Sequence, residues 1–355
     1  MMKKVLVLLL YLLWPIQPGL IHSEPREPFP SAYSFFSQGD FSKAEDLFLE
    51  ALDHASVLED YTLYFLGMIS FHQEALHSAR NYFSQLNKRF PKSVWVNHAN
   101  LHLAKIALKE GNGDQALERL MALETRGVGD PITNEALFLI GQTYKERGEL
   151  DRATSFYQKL RTGSPLSPWA HRAKKEVQSL REQHPQLLGL REPEAILEEG
   201  ELLLLERDYD EAERVFQRSS SVFSERDLRL RYLLGLAEVY RKSRKRQKES
   251  DVLAEIVEQY PGSTEAPTAL ARLAEVYWNR GKNLKALAEF KRLKERYPNS
   301  PVLDFAAFAS ARIYESLRKQ KNAIRIYLDF PKRFPKSPLR EQAAWRLAWI
   351  HYLQA

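Results

Sequence analysis

Leu273-Ala274-Glu275-Val276-Tyr277, then Gly281, then Ala286-Leu287-Ala288-Glu289-Phe290, closing at Tyr297-Pro298-Asn299-Ser300-Pro301, is a stretch whose landmarks return 37 residues away on either side. Glu249, Ala286 and Ala323 form one column, Leu253, Phe290 and Tyr327 a second, and Pro261, Pro298 and Pro335 a third. A fixed step of this length is the mark of one supersecondary unit stacked on copies of itself.

Followed outward, the small position recurs at Ala44, Ala79, Ala116, Ala153, Ala212, Glu249, Ala286 and Ala323, in steps of 35, 37, 37, 59, 37, 37 and 37. Twelve residues before each lies a second small residue: Ala32, Gly67, Ala104, Gly141, Gly200, Ala237, Ala274 and Ala311. Two small columns per repeat let two helices approach closely. Leu66, Leu103, Ile140, Leu236 and Leu273 precede the upstream column, and Tyr144, Tyr240, Tyr277 and Tyr314 follow it by three. That spacing puts apolar residues on one face of a first helix. Gly39, Gly111, Gly148 and Gly281 mark the turn into a second helix, which carries Phe48, Phe83, Tyr157, Phe216 and Phe290 toward the core.

The small, aromatic and terminal proline positions, here Leu273, Ala274, Tyr277, Ala286, Phe290 and Pro298, resemble those of the tetratricopeptide-repeat (TPR) family over roughly residues 31–355. The resemblance implies an all-α, TPR-like helical-hairpin solenoid coiled as a right-handed superhelix, with about eight repeats. The period departs from the family's usual length of about 34 residues. The extra residues follow the proline, and Ser300 and Ser337, each before a proline, are expected to be N-caps of the next helix. Elongated repeats of this kind are common in envelope TPR proteins.

The N-terminus suits that address. Lys3 and Lys4 precede an apolar run from Val5 to Leu13, which breaks at Trp14-Pro15, and cleavage is expected after Ser23 with Ile21 at the minus-three position. The run is too short for a span of about 20 apolar residues, so no integral membrane span is expected after cleavage. With no cysteine in the chain, lipoprotein acylation and disulfides are both excluded. The expected location is therefore periplasmic or cell-wall associated. The 59-residue step, with a helix at 167–183 and unpunctuated sequence after it, divides the chain into a signal peptide at 1–23, a block at 31–183, a linker at 184–193 and a block at 194–355.

The formal charge of +6 is a weak argument for an anionic partner. Its one dense cluster, Arg241 to Lys248, falls at a helix turn, where a solvated tip is the ordinary reading and anionic lipid or glycan the alternative. No aromatic platform alternates with these cations, so no nucleic-acid partner is expected. His72 and His77 are five apart rather than the four needed to share a helix face around a metal. Neither nucleophile elbow nor phosphate or dinucleotide loop occurs. No catalytic residue, cofactor or metal is expected.

The segment Phe334-Pro335-Lys336-Ser337-Pro338, followed by Ala343 to Tyr352 with its Trp-x-Leu-x-Trp-like aromatic spacing, resembles the superhelical region of soluble lytic murein transglycosylases. Those enzymes use a glutamate followed by serine and a glycine-rich stretch. Neither Glu249-Ser250 nor Glu315-Ser316 has that context, so no catalytic role is carried over.

The reading is a non-catalytic, exported scaffold for a protein or peptide partner in the envelope, with peptidoglycan as a further candidate. Its alternative is the non-catalytic N-terminal portion of a peptidoglycan lytic transglycosylase. In TPR arrays the first helix lines the concave side, which nominates Trp345, Trp349 and Tyr352 in the last helix, Phe308 and Arg312 one repeat earlier, and Trp278 before them. Ala344, Leu347 and Ala348 are expected to face the core. Two uses of these rings stay open: a binding patch, or packing against further chain.

Overall fold

The computed structural model describes residues 28–353 apart from 54–56, 126, 128, 186–191, 219–222 and 224. The expected signal peptide lies outside the described residues, as does most of the 184–193 linker. Among the described residues there are 18 helices and no strand. The chain divides into two compact units, with the boundary between Glu149 and Leu150.

The first unit contains α1 (Pro28–Ser37), α2 (Phe41–Asp53), α3 (Glu59–His72), α4 (Leu76–Arg89), α5 (Val96–Lys109), α6 (Gly113–Glu124) and α7 (Pro131–Glu146). Helices α1 and α2, α3 and α4, and α5 and α6 pack as hairpins, and each second helix also packs on the first helix of the next hairpin. The second unit contains α8 (Leu150–Gly163), α9 (Pro168–Gln183), α10 (Pro193–Leu205), α11 (Tyr209–Arg218), α12 (Arg226–Lys242), α13 (Arg246–Gln259), α14 (Ala266–Asn279), α15 (Asn283–Arg296), α16 (Leu303–Ser316), α17 (Gln320–Arg333) and α18 (Arg340–Tyr352). There α10 to α17 repeat the hairpin pattern, and α18 packs on α17.

Both small columns are buried throughout, and the aromatic or leucine four residues after the downstream column is at most 3% exposed in every repeat. The smallness is enforced by rings. A Cβ on Gly67 would come within 2.6 Å of the Phe83 ring, and one on Gly200 within 2.3 Å of Phe216. Phe216 also abuts Gly235 of the next hairpin, so one ring wedges two helices at the distance that glycine allows. Glu249 fills its small position as a buried carboxylate held by Arg246 at 2.9 Å and Arg272 at 3.4 Å.

Each hairpin turn passes through the left-handed region at one equivalent position. Gly39, Gly111, Gly148 and Gly281 occupy it, but so do Glu74, Arg207, Arg244 and Arg318, with φ between 56° and 61°. A side chain there costs about 1–2 kcal/mol that glycine avoids, partly offset by glycine's greater unfolded entropy. Arg318→Gly is therefore expected to raise stability by about 1 kcal/mol, and Gly281→Ala to lower it by a similar amount. Paired urea titrations check this, and a stabilising Gly281→Ala would contradict it.

Ser300 and Ser337 are not N-caps, contrary to expectation. Helices α16 and α18 start three residues after each serine, and neither has a side-chain cap. The serines instead close turns: Ser300 Oγ accepts from the Val302 N–H at 3.4 Å, and Ser337 Oγ from Leu339 at 3.1 Å. Ser337 also donates to Asp304 at 2.6 Å, while the Tyr297 hydroxyl donates to the Pro261 carbonyl at 2.9 Å. Ser337, one of the residues that lengthen the period, and Tyr297, just before the proline, thus tie one repeat to its neighbour. True caps occur at Asp130 and Ser167, which accept from Thr133 and Ala170.

The long step of the register is filled by α9 and a buried ionic network. Arg161 of α8 is wholly buried, with its guanidinium on Glu206 at 2.6 Å and on Glu199 of α10 at 2.9 Å. From α9, Arg181 reaches Glu199 at 2.8 Å and Lys174 pairs with Asp208. These contacts bind α9 to α10 and the turn after it, so helix 168–183, grouped with the first block in the sequence reading, lies in the second unit with α10. Charge alternation at distances of 38 and 45 residues has no helical or strand period, which is why the repeat pattern does not reveal it.

Candidate functional site

Helix α18 carries a ladder of stacked rings. Trp345 and Trp349 lie 5.7 Å apart at 5°, and Trp349 and Tyr352 lie 5.6 Å apart at 26°. They are 59%, 42% and 72% exposed, and Leu353 beside them is exposed too. The spacing i, i+4, i+7 creates this stripe on one helix face. The opposite face carries only one of the three expected residues, Leu347. Ala343, Leu347 and Ile350 pack against Tyr327 and Phe330 of α17, whereas Ala344 and Ala348 are exposed. Ala348 corresponds to Ala311 one repeat earlier, a position that packs on the second helix of its own hairpin. Among the described residues no helix lies there.

Phe308, Arg312 and Trp345 line one shallow recess together with Glu341, Gln342 and Arg346. Trp345, Trp349 and Tyr352 line a second with Ala348. Five of the six nominated residues are therefore brought together at α16 and α18. Phe308 is half-buried, with its ring 6.0 Å from Tyr327 and 6.3 Å from Phe330, so much of it serves the core. Trp278 lines neither recess; it is partly buried against the core formed by α10–α16.

Arg312 and Arg346 share one carboxylate. Glu315 lies 4.0 Å from Arg312 and 3.4 Å from Arg346, and it accepts from the Tyr327 hydroxyl. Burial, followed by the bond to Glu315, pushes the Tyr327 phenol far above its ordinary value. Both Glu-Ser pairs are thus committed to structure, Glu315 in this cluster and Glu249 between Arg246 and Arg272.

The basic run at 241–248 is largely neutralised by neighbouring acids. Lys245 and Lys248 converge on Glu213 of the preceding hairpin, Arg241 pairs with Glu238, and Arg246 with Glu249. The direct hydrogen bonds from Lys245 and Lys248, with their charges, outweigh burial and hold Glu213 below the usual carboxylate range. Of these, Arg241–Glu238 joins two solvent-accessible side chains and is worth about 0–1 kcal/mol, whereas Glu213 and Glu249 are buried carboxylates. Together these pairs lower the density of free cations that an anionic partner would need. His72 stacks on Phe41 at 5.3 Å, and Glu74 pairs with Lys109 at 2.6 Å. Among the described residues no acidic or histidine cluster is placed to hold a metal, and no helix is long and apolar enough to cross a membrane.

Sequence reasoning missed His102. This α5 side chain is 9% exposed, stacked on the Phe83 ring at 5.2 Å and edge-on to Phe71 at 5.1 Å. Burial, aided by the charges of Lys105, His98 and His72, pushes its pKa down to about 3. Its position two residues before Ala104 in the register was the available signal.

Family models described as tetratricopeptide repeats match residues 29–94 and 101–168, and residues 268–300 and 305–337, together more than half of the chain. No curated protein matches the sequence. A tetratricopeptide repeat protein from Parabacteroides merdae is 16% identical, with 89% of this chain and 96% of that one covered and a TM-score of 0.31. The pilF protein of Pseudomonas aeruginosa is 13% identical, with 67% and 93% covered and a TM-score of 0.34. YrrB, described as a TPR protein with an unusual peptide-binding site, is 17% identical, with 59% and 90% covered and a TM-score of 0.36. On the matched repeats and the hairpin array that carries them, the chain belongs to the tetratricopeptide-repeat family.

Proposed function

We propose that this protein is an exported, non-catalytic scaffold that holds a protein or peptide partner in the bacterial cell envelope through the aromatic face of α18 and the adjoining Phe308–Arg312 edge. One observation carries the reading. Three stacked aromatic rings face solvent together, whereas the aromatics four residues after the downstream small column are drawn into the core. Rings that are apolar on the face and polar at one edge are the usual anchors of protein contacts, and they gain most when a partner desolvates them. The envelope address is supported by the charged, then apolar, then broken sequence of residues 1–23. The transglycosylase likeness adds no residue to the proposal, because Glu249 and Glu315 are both engaged in ion pairs.

The test replaces Trp345, Trp349 and Tyr352 with alanine together in exported protein. Melting is expected to be unchanged, because the three rings pack mainly on one another, while a partner cross-linked to the unaltered protein in the envelope is lost. Trp278→Ala, which removes a core ring, should instead lower the melting temperature. A triple variant that still captures its partner would refute the surface, and intact mass beginning at Met1 rather than Glu24 would refute the export route.

A further inference from the structure

We propose that the outward faces of α15 and α17 are an attachment surface for a membrane carrying anionic phospholipids, to which the chain binds by peripheral contact. Charge in the second unit is distributed very unevenly. Residues 282–340 carry fifteen Lys and Arg against five Asp and Glu, a net of +10 in a chain whose whole net is +6. Lys291, Arg292 and Arg312 pair with acids. Among the described residues the other twelve cations pair with none, and all twelve are exposed. The densest run in the sequence, 241–248, is the opposite case, since Glu213, Glu238 and Glu249 hold most of its cations.

The repeat register shows how these cations are displayed. On each second helix, the positions two before the downstream small column and two, five and nine after it fall on one stripe, because steps of four and three return to the same helix face. In α13 the stripe reads Gln247, Asp251, Ala254 and Glu258, in α15 Leu284, Ala288, Lys291 and Glu295, and in α17 Lys321, Arg325, Leu328 and Lys332. It thus changes from acidic to basic over three successive repeats. All of these side chains are exposed except Ala254, which is half-buried. Asp329 is the one acid of α17. The stripes of α13 and α15 have helices of the array packed both before and after them and are still open to solvent, so further repeats beyond α18 would leave that of α17 open as well.

The residue types select the occupant. Seven of the twelve unpaired cations are lysines, compact charges on long flexible stems, and the twelve are spread along the segment rather than gathered as guanidinium forks around one point. A site for a single phosphate or carboxylate calls for convergent, bidentate donors. A bilayer surface does not, because its headgroups move laterally to meet the cations. The leucines of the stripe fit the same surface: Leu284 is 70% exposed and Leu328 55%, each with cations beside it. An apolar side chain ringed by cations can enter the boundary between headgroups and acyl chains while the charges stay at the phosphates. Each Lys or Arg held near such a surface contributes about fivefold in affinity, so attachment depends on their number and on a shared face.

The test is co-sedimentation of the full chain with phosphatidylcholine vesicles prepared with and without phosphatidylglycerol. Binding is expected to be much stronger where phosphatidylglycerol is present and to weaken as salt is added. Lys321→Gln, Arg325→Gln and Lys332→Gln combined should weaken it on the order of 100-fold without changing the melting temperature, since all three side chains are exposed. Arg241→Gln, Lys242→Gln and Lys248→Gln combined remove the same net charge from the paired run and should change it less than about threefold. Equal binding to both kinds of vesicle would overturn the proposal, and so would a loss no larger in the first variant than in the second, which would assign binding to net charge alone. Indifference to vesicles together with binding of poly-glutamate through the same three residues would assign the face to an acidic protein segment and would overturn it too. None of these outcomes bears on α18, whose rings are unaltered in both variants.

Discussion

Replacing Arg161 with methionine is expected to destabilise the second unit by about 3–5 kcal/mol, because it leaves Glu199 and Glu206 buried with their principal cation gone. Methionine preserves much of the side-chain volume, so the loss reports charge rather than a cavity. Glu199→Gln should cost less, since Arg161 keeps Glu206. The response should be local, because a repeat array couples mainly through nearest neighbours. Amide exchange should rise across α8, α9 and α10 and stay unchanged in α16 and α17. Added salt should alter the effect little, since buried pairs are poorly screened. A urea midpoint that places Arg161→Met within 1 kcal/mol of the unaltered protein would show that these charges are not energetically linked. Burial by itself raises the Glu199 pKa, but hydrogen bonds and charge from Arg161 and then Arg181 outweigh it, and the net direction is down. Its stabilisation is therefore present above the unfolded value of 4.5 and is lost only as pH falls through the lower folded value.

The first unit is expected to fail earlier on acidification, and His102 is the reason. Its folded pKa of about 3 lies below the ordinary histidine value of 6.5, so the unfolded chain takes up a proton that the folded chain refuses. Stability then falls as pH drops below 6.5, with a loss of roughly 3 kcal/mol by pH 4.5 and on the order of 4–5 kcal/mol by pH 3. His102→Phe keeps a ring against Phe83 and removes the titration, and His102→Leu provides a second variant with no ring to accommodate. Urea midpoints at pH 7 and pH 4.5 check the expectation. Equal acid sensitivity in the unaltered protein and both variants would rule out His102 as its source.

The aromatic surface was legible in part. Trp345, Trp349 and Tyr352 share a stripe by helical spacing alone, and they are exposed as that spacing requires. The buried side of α18 was misassigned in part: Leu347 is there as expected, but Ala343 and Ile350 join it in place of Ala344 and Ala348. The sequence shows two apolar faces on this helix, and only the packing on α17 shows which is covered. Phe308 looks equivalent to Trp345 in the sequence, yet it is drawn inward because Tyr327 and Phe330 lie over it.

What the sequence determined by itself is the repeat: the two small columns, the aromatic four residues after the second, and the glycines at half of the turns. Each is a local requirement of close helix packing or positive φ, and each is restated often enough to be read without a partner in space. The tertiary structure alone decided which non-glycine residues bear the same strained turn, and how Ser300 and Ser337 are used. It also decided that Arg161, Arg181 and Lys174 close on Glu199, Glu206 and Asp208, and that His102 is neutral. Those facts depend on contacts between side chains far apart in sequence and on exclusion of water from them. Neither leaves a period in the chain.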